Sequence, residues 1–104
     1  MTLYHITRKN NVPRILIEGL LPSRSKGLTA RTPKHNKVFL TNDIDKIIKY
    51  MGGSSWETNI AILGVKCTDA KPAIYTHTGI QVESDFEFII DKVLPNQIIN
   101  VEYR

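Results

Sequence analysis

The stretch Phe86-Glu87-Phe88-Ile89-Ile90-Asp91-Lys92-Val93-Leu94-Pro95-Asn96-Gln97-Ile98-Ile99-Asn100-Val101-Glu102-Tyr103 reads as a strand, a turn and a second strand. β-Branched and aromatic residues fill 86–90 and 98–103, and Leu94-Pro95-Asn96 between them has the composition of a turn. Upstream, Ile60 to Cys67 is a strongly apolar run bounded by turn residues, as a central strand requires. Ala73-Ile74-Tyr75 reads as a further short strand, and the polar residues from Thr76 to Asp85 as an exposed loop. Strands therefore dominate the second half of the chain.

The helical patterns lie earlier. Leu3-Tyr4-His5-Ile6-Thr7 reads as an opening strand, after which Asn10 and Asn11 are candidate helix caps and Pro13 suits a first helical turn. Val12, Ile15, Leu16 and Leu20 follow helical spacing, with Gly19 near the end. Residues 21–36 hold two prolines, a glycine, four lysines and arginines and His35, and read as a long loop of the kind that tends to carry function. Lys37 to Thr41 is a second strand. Asn42 or Asp43 caps a second helix with Ile44, Ile47, Ile48 and Met51 on its apolar face, ended by Gly52-Gly53. The order β-α-loop-β-α-β-β-β-β argues an α+β fold and against a doubly wound parallel sheet.

Composition bounds the rest. A chain of 104 residues, 41% hydrophobic and 23% charged, has the make-up of one globular domain, 1–104, with one core. No apolar run approaches the ~20 residues of a membrane span, and Met1-Thr2-Leu3-Tyr4-His5 lacks the pattern of a secretory leader, so a cytoplasmic location with no membrane role is expected. The single cysteine, Cys67, excludes an internal disulfide, and nothing marks it as an activated thiolate. His5, His35 and His77 lack metal-ligand spacing, so no metal is expected.

Charge is uneven. Residues 1–37 carry eight basic side chains (Arg8, Lys9, Arg14, Arg24, Lys26, Arg31, Lys34, Lys37) against Glu18 alone, whereas 38–104 carry six basic and nine acidic groups. A cationic third of the chain is either a face for phosphates or a solvated surface. Three further residues are poorly explained by folding alone. His5 sits within a strand, Tyr50 near the end of a helix, and Glu87 between Phe86 and Phe88-Ile89-Ile90 on a strand with at least one buried face. A carboxylate there is costly unless it is partnered or held for chemistry.

Leu3-Tyr4-His5-Ile6-Thr7 with Asn11 to Leu20, Val38-Phe39-Leu40-Thr41 with Tyr50, and Phe86 to Ile90 with Val93 to Ile99 together resemble three motifs of one family. That family is the ADP-ribosyltransferases, in the branch with a His–Tyr–Glu site shared by poly(ADP-ribose) polymerases and DarT toxins. The resemblance spans nearly the whole chain. It implies a split antiparallel β-sheet core with two helices in the N-terminal half, and a glutamate opening a strand that leads to a final hairpin.

It also implies roles, with NAD as substrate. Glu87 and His5 are the catalytic pair: His5 holds the adenosine ribose, and Glu87 stabilises an oxocarbenium-like transition state on the nicotinamide ribose. Thr7 supports that ribose or the strand, Thr41 belongs to the NAD-binding set, and Phe39 and Tyr50 pack about the nicotinamide ring. Phe39 stands where the family usually has tyrosine, keeping the aromatic face and losing the hydroxyl. Arg24 or Arg31 meets the pyrophosphate, an assignment made on guanidinium chemistry. Asp85 and Glu83 face the acceptor.

The expected activity is mono-ADP-ribosyl transfer from NAD to a nucleic acid or protein acceptor, in the setting of a toxin or counter-defence factor. The alternative is a non-catalytic protein on the same scaffold that sequesters a nucleotide or binds a partner. A third possibility is a nucleic-acid-binding module acting through the basic face alone.

Overall fold

The structure is a computed structural model that describes residues 1–22 and 37–104. From residue 23 onward the expected loop, with Arg24 and Arg31, lies outside the described residues. Strand β1 (Thr2–Arg8) runs through a 3₁₀ turn (Lys9–Asn11) into helix α1 (Val12–Glu18). Strand β2 (Val38–Thr41), helix α2 (Ile44–Tyr50) and a 3₁₀ turn (Gly53–Trp56) follow. Then come β3 (Ile60–Lys66), β4 (Lys71–His77), β5 (Ile80–Ile90), a 3₁₀ turn (Pro95–Gln97) and β6 (Ile98–Tyr103).

The six strands form one antiparallel sheet in the order β4-β5-β2-β1-β3-β6. With the two short helices of the described residues, this is the expected α+β class. Strands β1 and β3 pair without a break from Thr2–Lys66 to Arg8–Ile60. Strands β1 and β2, by contrast, meet only at Tyr4–Thr41. The sheet is therefore pinched at its middle, with β4-β5-β2 on one side of the seam and β1-β3-β6 on the other.

Side chains alternate across β1 and β3, so the apolar run 60–65 is buried on both faces. Leu3, Leu63 and Val65 join Ile15, Leu20, Leu40 and Val93 beneath α1. Ile6, Ile60 and Ile62 join Ile47 and Ile48 beneath α2. Cys67 belongs to the first cluster, and burial, aided by the Asp69 charge, pushes its thiol pKa up, which suits packing rather than nucleophilic chemistry.

The helices keep most of their expected faces. Asp43 caps α2 by accepting from the Lys46 amide at 3.1 Å, and Ile47 and Ile48 are buried. In α1, Val12 and Ile15 are buried but Leu16 is half-exposed, because the helix stops at Glu18 and Leu20 reaches the core by pairing with Val93 instead. Asn11 occupies the cap position without capping; its side chain donates to the Thr7 hydroxyl at 3.0 Å.

Two expectations about strands are corrected. Residues 76–85 are not a loop: β4 extends to His77, Thr78 and Gly79 make a two-residue turn at positive φ, and β5 begins at Ile80. The apolar signal is weak there because both strands of the hairpin stand largely in solvent. Glu87 accordingly lies near the end of an 11-residue strand rather than opening one. Nor does β5 form a hairpin with β6, which crosses the sheet to pair with β3.

Candidate functional site

The site forms where the pinched seam meets a bulge in β5. Strand pairing shifts between Pro72–Phe88 and Ile74–Glu83, so Ala73 of β4 faces four residues, Ser84 to Glu87. A bulge leaves amides without their ladder partners and redirects side chains. Here the Ser84 hydroxyl accepts from the amides of Phe86 (3.3 Å) and Glu87 (3.0 Å). The Phe86 carbonyl takes a hydrogen bond from the Thr41 hydroxyl at 2.6 Å and one from the Asn42 amide at 3.2 Å. The backbone that carries Glu87 is thus fixed from both sides, and the Glu87 side chain is buried, with 6% of its surface exposed.

His5 crosses the seam from the other half of the sheet. Its Nδ1 donates to the Phe39 carbonyl at 2.9 Å, a contact made where the β1–β2 ladder is otherwise open. A carbonyl only accepts, so Nδ1 carries the proton and Nε2 of the neutral ring is an acceptor. Burial holds the His5 pKa below its ordinary value, and the hydrogen bond to Phe39 offsets this only in part. At neutral pH His5 is an uncharged group that can accept from a ligand hydroxyl.

Two adjoining cavities share Phe39 and Glu87. The inner one, about 20 Å³, is lined by Tyr4, His5, Thr41 and Met51 among others. The outer one, about 260 Å³, has Tyr50, Tyr75 and Phe86 on its walls, Lys46 at its rim and Ser84 from the bulge. Tyr50 and Phe86 stand 6.0 Å apart at 52°, and Lys46 Nζ lies 4.6 Å from the Phe86 ring centre and 3.5 Å from Asp85. A groove with several aromatic faces and a buried carboxylate suits a flat, electron-poor or cationic ring.

Five of the sequence-derived residues thus converge: His5, Phe39, Thr41, Tyr50 and Glu87. Thr41 lines the inner cavity, but its hydroxyl donates to Phe86 and accepts from the Asp43 amide at 3.0 Å, so its first task is to tie β2 to β5. Thr7 lines neither cavity; its hydroxyl takes the Asn11 amide and steadies the chain leaving β1. Asp85 is exposed, paired with Lys46 at the outer rim, and its carbonyl accepts from Asn42 at 3.1 Å. Glu83 is exposed on the β4–β5 hairpin, opposite Ile74.

Sequence reading missed Lys46, Tyr75 and Ser84. Only Lys46 left a trace, as one helical turn before Tyr50. Among the described residues no group of three or more His, Cys, Asp or Glu side chains could hold a metal ion, and no helix is long and apolar enough to cross a membrane. Neither a protein-family model nor a curated protein matches this chain.

Proposed function

We propose that this protein is an NAD-dependent ADP-ribosyltransferase of the split-sheet kind. The observation that carries the reading is the meeting of His5 and Glu87, from opposite halves of a pinched sheet, at one cavity that opens into an aromatic groove. The nicotinamide of NAD is a flat cationic ring, and the groove offers it Phe39, Tyr50 and Phe86 as faces and Glu87 as countercharge. Neutral His5 accepts from a ribose hydroxyl through Nε2.

In the reaction the bond from ribose C1′ to the nicotinamide nitrogen breaks, and its electron pair leaves with nicotinamide. Positive charge grows on the ribose, where a fixed carboxylate at Glu87 stabilises the transition state more than the ground state. The acceptor then bonds to C1′, and its proton passes to Glu87 or water.

Release of nicotinamide from NAD, with DNA, RNA or protein as acceptor, tests the reading. Glu87→Gln should lower turnover by about 10²-fold or more, as loss of a charged transition-state contact does, while leaving the fold intact. Unchanged turnover in Glu87→Gln would overturn the catalytic assignment. No release with any acceptor, beside measurable ADP-ribose binding, would replace it with nucleotide sequestration.

A further inference from the structure

A second polar site lies at the far end of β1. Arg8, Lys9, Asn10 and Asn59 line an open hollow of about 480 Å³ that shares no residue with the two cavities beside Glu87. No acid lines it. The Arg8 guanidinium is held in one plane, 3.4 Å from the centre of the Trp56 ring, with one Nη donating to the Ser55 carbonyl at 3.0 Å. Trp56 in turn packs on the Ile6–Ile47–Ile62 cluster, so the stack is anchored in the core. Among the described residues neither Arg8 nor Lys9 has a carboxylate partner. Asn59, also in the lining, sits at φ 59°, a left-handed conformation uncommon outside glycine that turns the chain into β3 beside Arg8.

These features are those of an anion site. A guanidinium already immobilised loses little further freedom on binding, and its remaining N–H groups match two phosphate oxygens. Lys9 adds a second cation, and the Asn10 and Asn59 amides add donors and acceptors. Arg8 lies three positions along β1 from His5, about 10 Å at the rise of a β-strand.

We propose that this hollow binds the phosphodiester backbone of a single nucleic-acid strand and so presents that strand to the seam. Two cations at adjacent chain positions in one open hollow suit neighbouring backbone phosphates. Calling the strand an acceptor rests on the transferase reading; the binding itself does not.

The test is fluorescence anisotropy of labelled oligo-dT and oligo-U, without NAD, from 50 to 200 mM salt. The Glu87→Gln protein should bind like wild type, so a failed transferase assay leaves the outcome readable. Arg8→Gln and Lys9→Gln should each weaken binding about fivefold at 0.1 M salt and lower the log–log salt slope by about 0.7, the effect of one lost phosphate contact on a single strand. Lys9 is exposed and outside the core, so its variant keeps the result decisive if Arg8→Gln unfolds. Arg14→Gln removes the same charge from α1, where Arg14 lies 4.0 Å from Glu18, and should leave the slope unchanged. Equal slopes for all three variants would mean diffuse attraction and overturn the proposal, as would no binding at 50 mM salt. Displacement of the strand by ADP at equal phosphate concentration would reassign the hollow to a free nucleotide and overturn it too.

Discussion

At the residue scale, His5 shows how burial sets the state of a titratable group. Only 5% of its surface is exposed, and its pKa lies below the ordinary 6.5, chiefly through burial. Below pH 6.5 the unfolded chain takes up a proton that folded His5 refuses until lower pH. The contribution of His5 is therefore fully present above 6.5 and is lost as pH falls through the depressed folded pKa. While the two states differ by one proton, stability should fall by about 1.4 kcal/mol per pH unit. Urea unfolding between pH 7.5 and 5 measures this. His5→Gln should be less stable at pH 7 and should lack this part of the slope; an identical slope in both proteins would remove His5 as its source.

At the element scale, the end of α1 depends on Gly19. The residue sits at φ 81° with its amide bonded to Ile15, and a Cβ there would overlap the Val93 carbonyl. That carbonyl accepts from the Leu20 amide at 2.9 Å, and the return bond from Val93 to Leu20 is 3.0 Å. Substitution by alanine adds a left-handed strain and a steric conflict at the same point, so Gly19→Ala should cost about 1–3 kcal/mol. Chemical denaturation reads this directly, and a loss under 0.5 kcal/mol would show that the Leu20–Val93 bridge shifts freely. The bulge in β5 follows the same logic. Ser84 satisfies two amides that a regular ladder would have paired, which is how a strand can aim Glu87 and Phe86 at a cavity without leaving buried donors unmet.

At the scale of the whole molecule, both faces of β1 and β3 are covered, and the two clusters share these strands. Leu63 and Ile62 are neighbours in sequence yet belong to different clusters. Leu63→Ala and Ile62→Ala should each cost about 2–5 kcal/mol, the usual range for a large buried side chain. Because the clusters share strands, both variants should lower the midpoint of a single calorimetric transition. Two separate transitions would mean that the halves on either side of the β1–β2 seam fold independently.

Much of this is legible in the amino-acid sequence. Continuous burial of Ile60 to Val65 and the helical spacing of Ile44, Ile47, Ile48 and Met51 are local patterns, and local patterns determine element type. Glu87 stands out for the same reason, since a carboxylate between aromatic residues on a strand contradicts its neighbours. The β4–β5 hairpin was not legible, because exposed strands need no apolar alternation and only Thr78-Gly79 marked the turn. Nor did the sequence by itself say that β6 pairs with β3, that Ser84 caps a bulge, or that Arg8 stacks on Trp56. Those are pairings between residues far apart in the chain, chosen by which edges and faces remain open once the core has packed. The chain alone determined its apolar-patterned elements and its unusual residues; tertiary structure decided where the exposed strands run and which residues meet, because those depend on edges and faces left open once the core has packed.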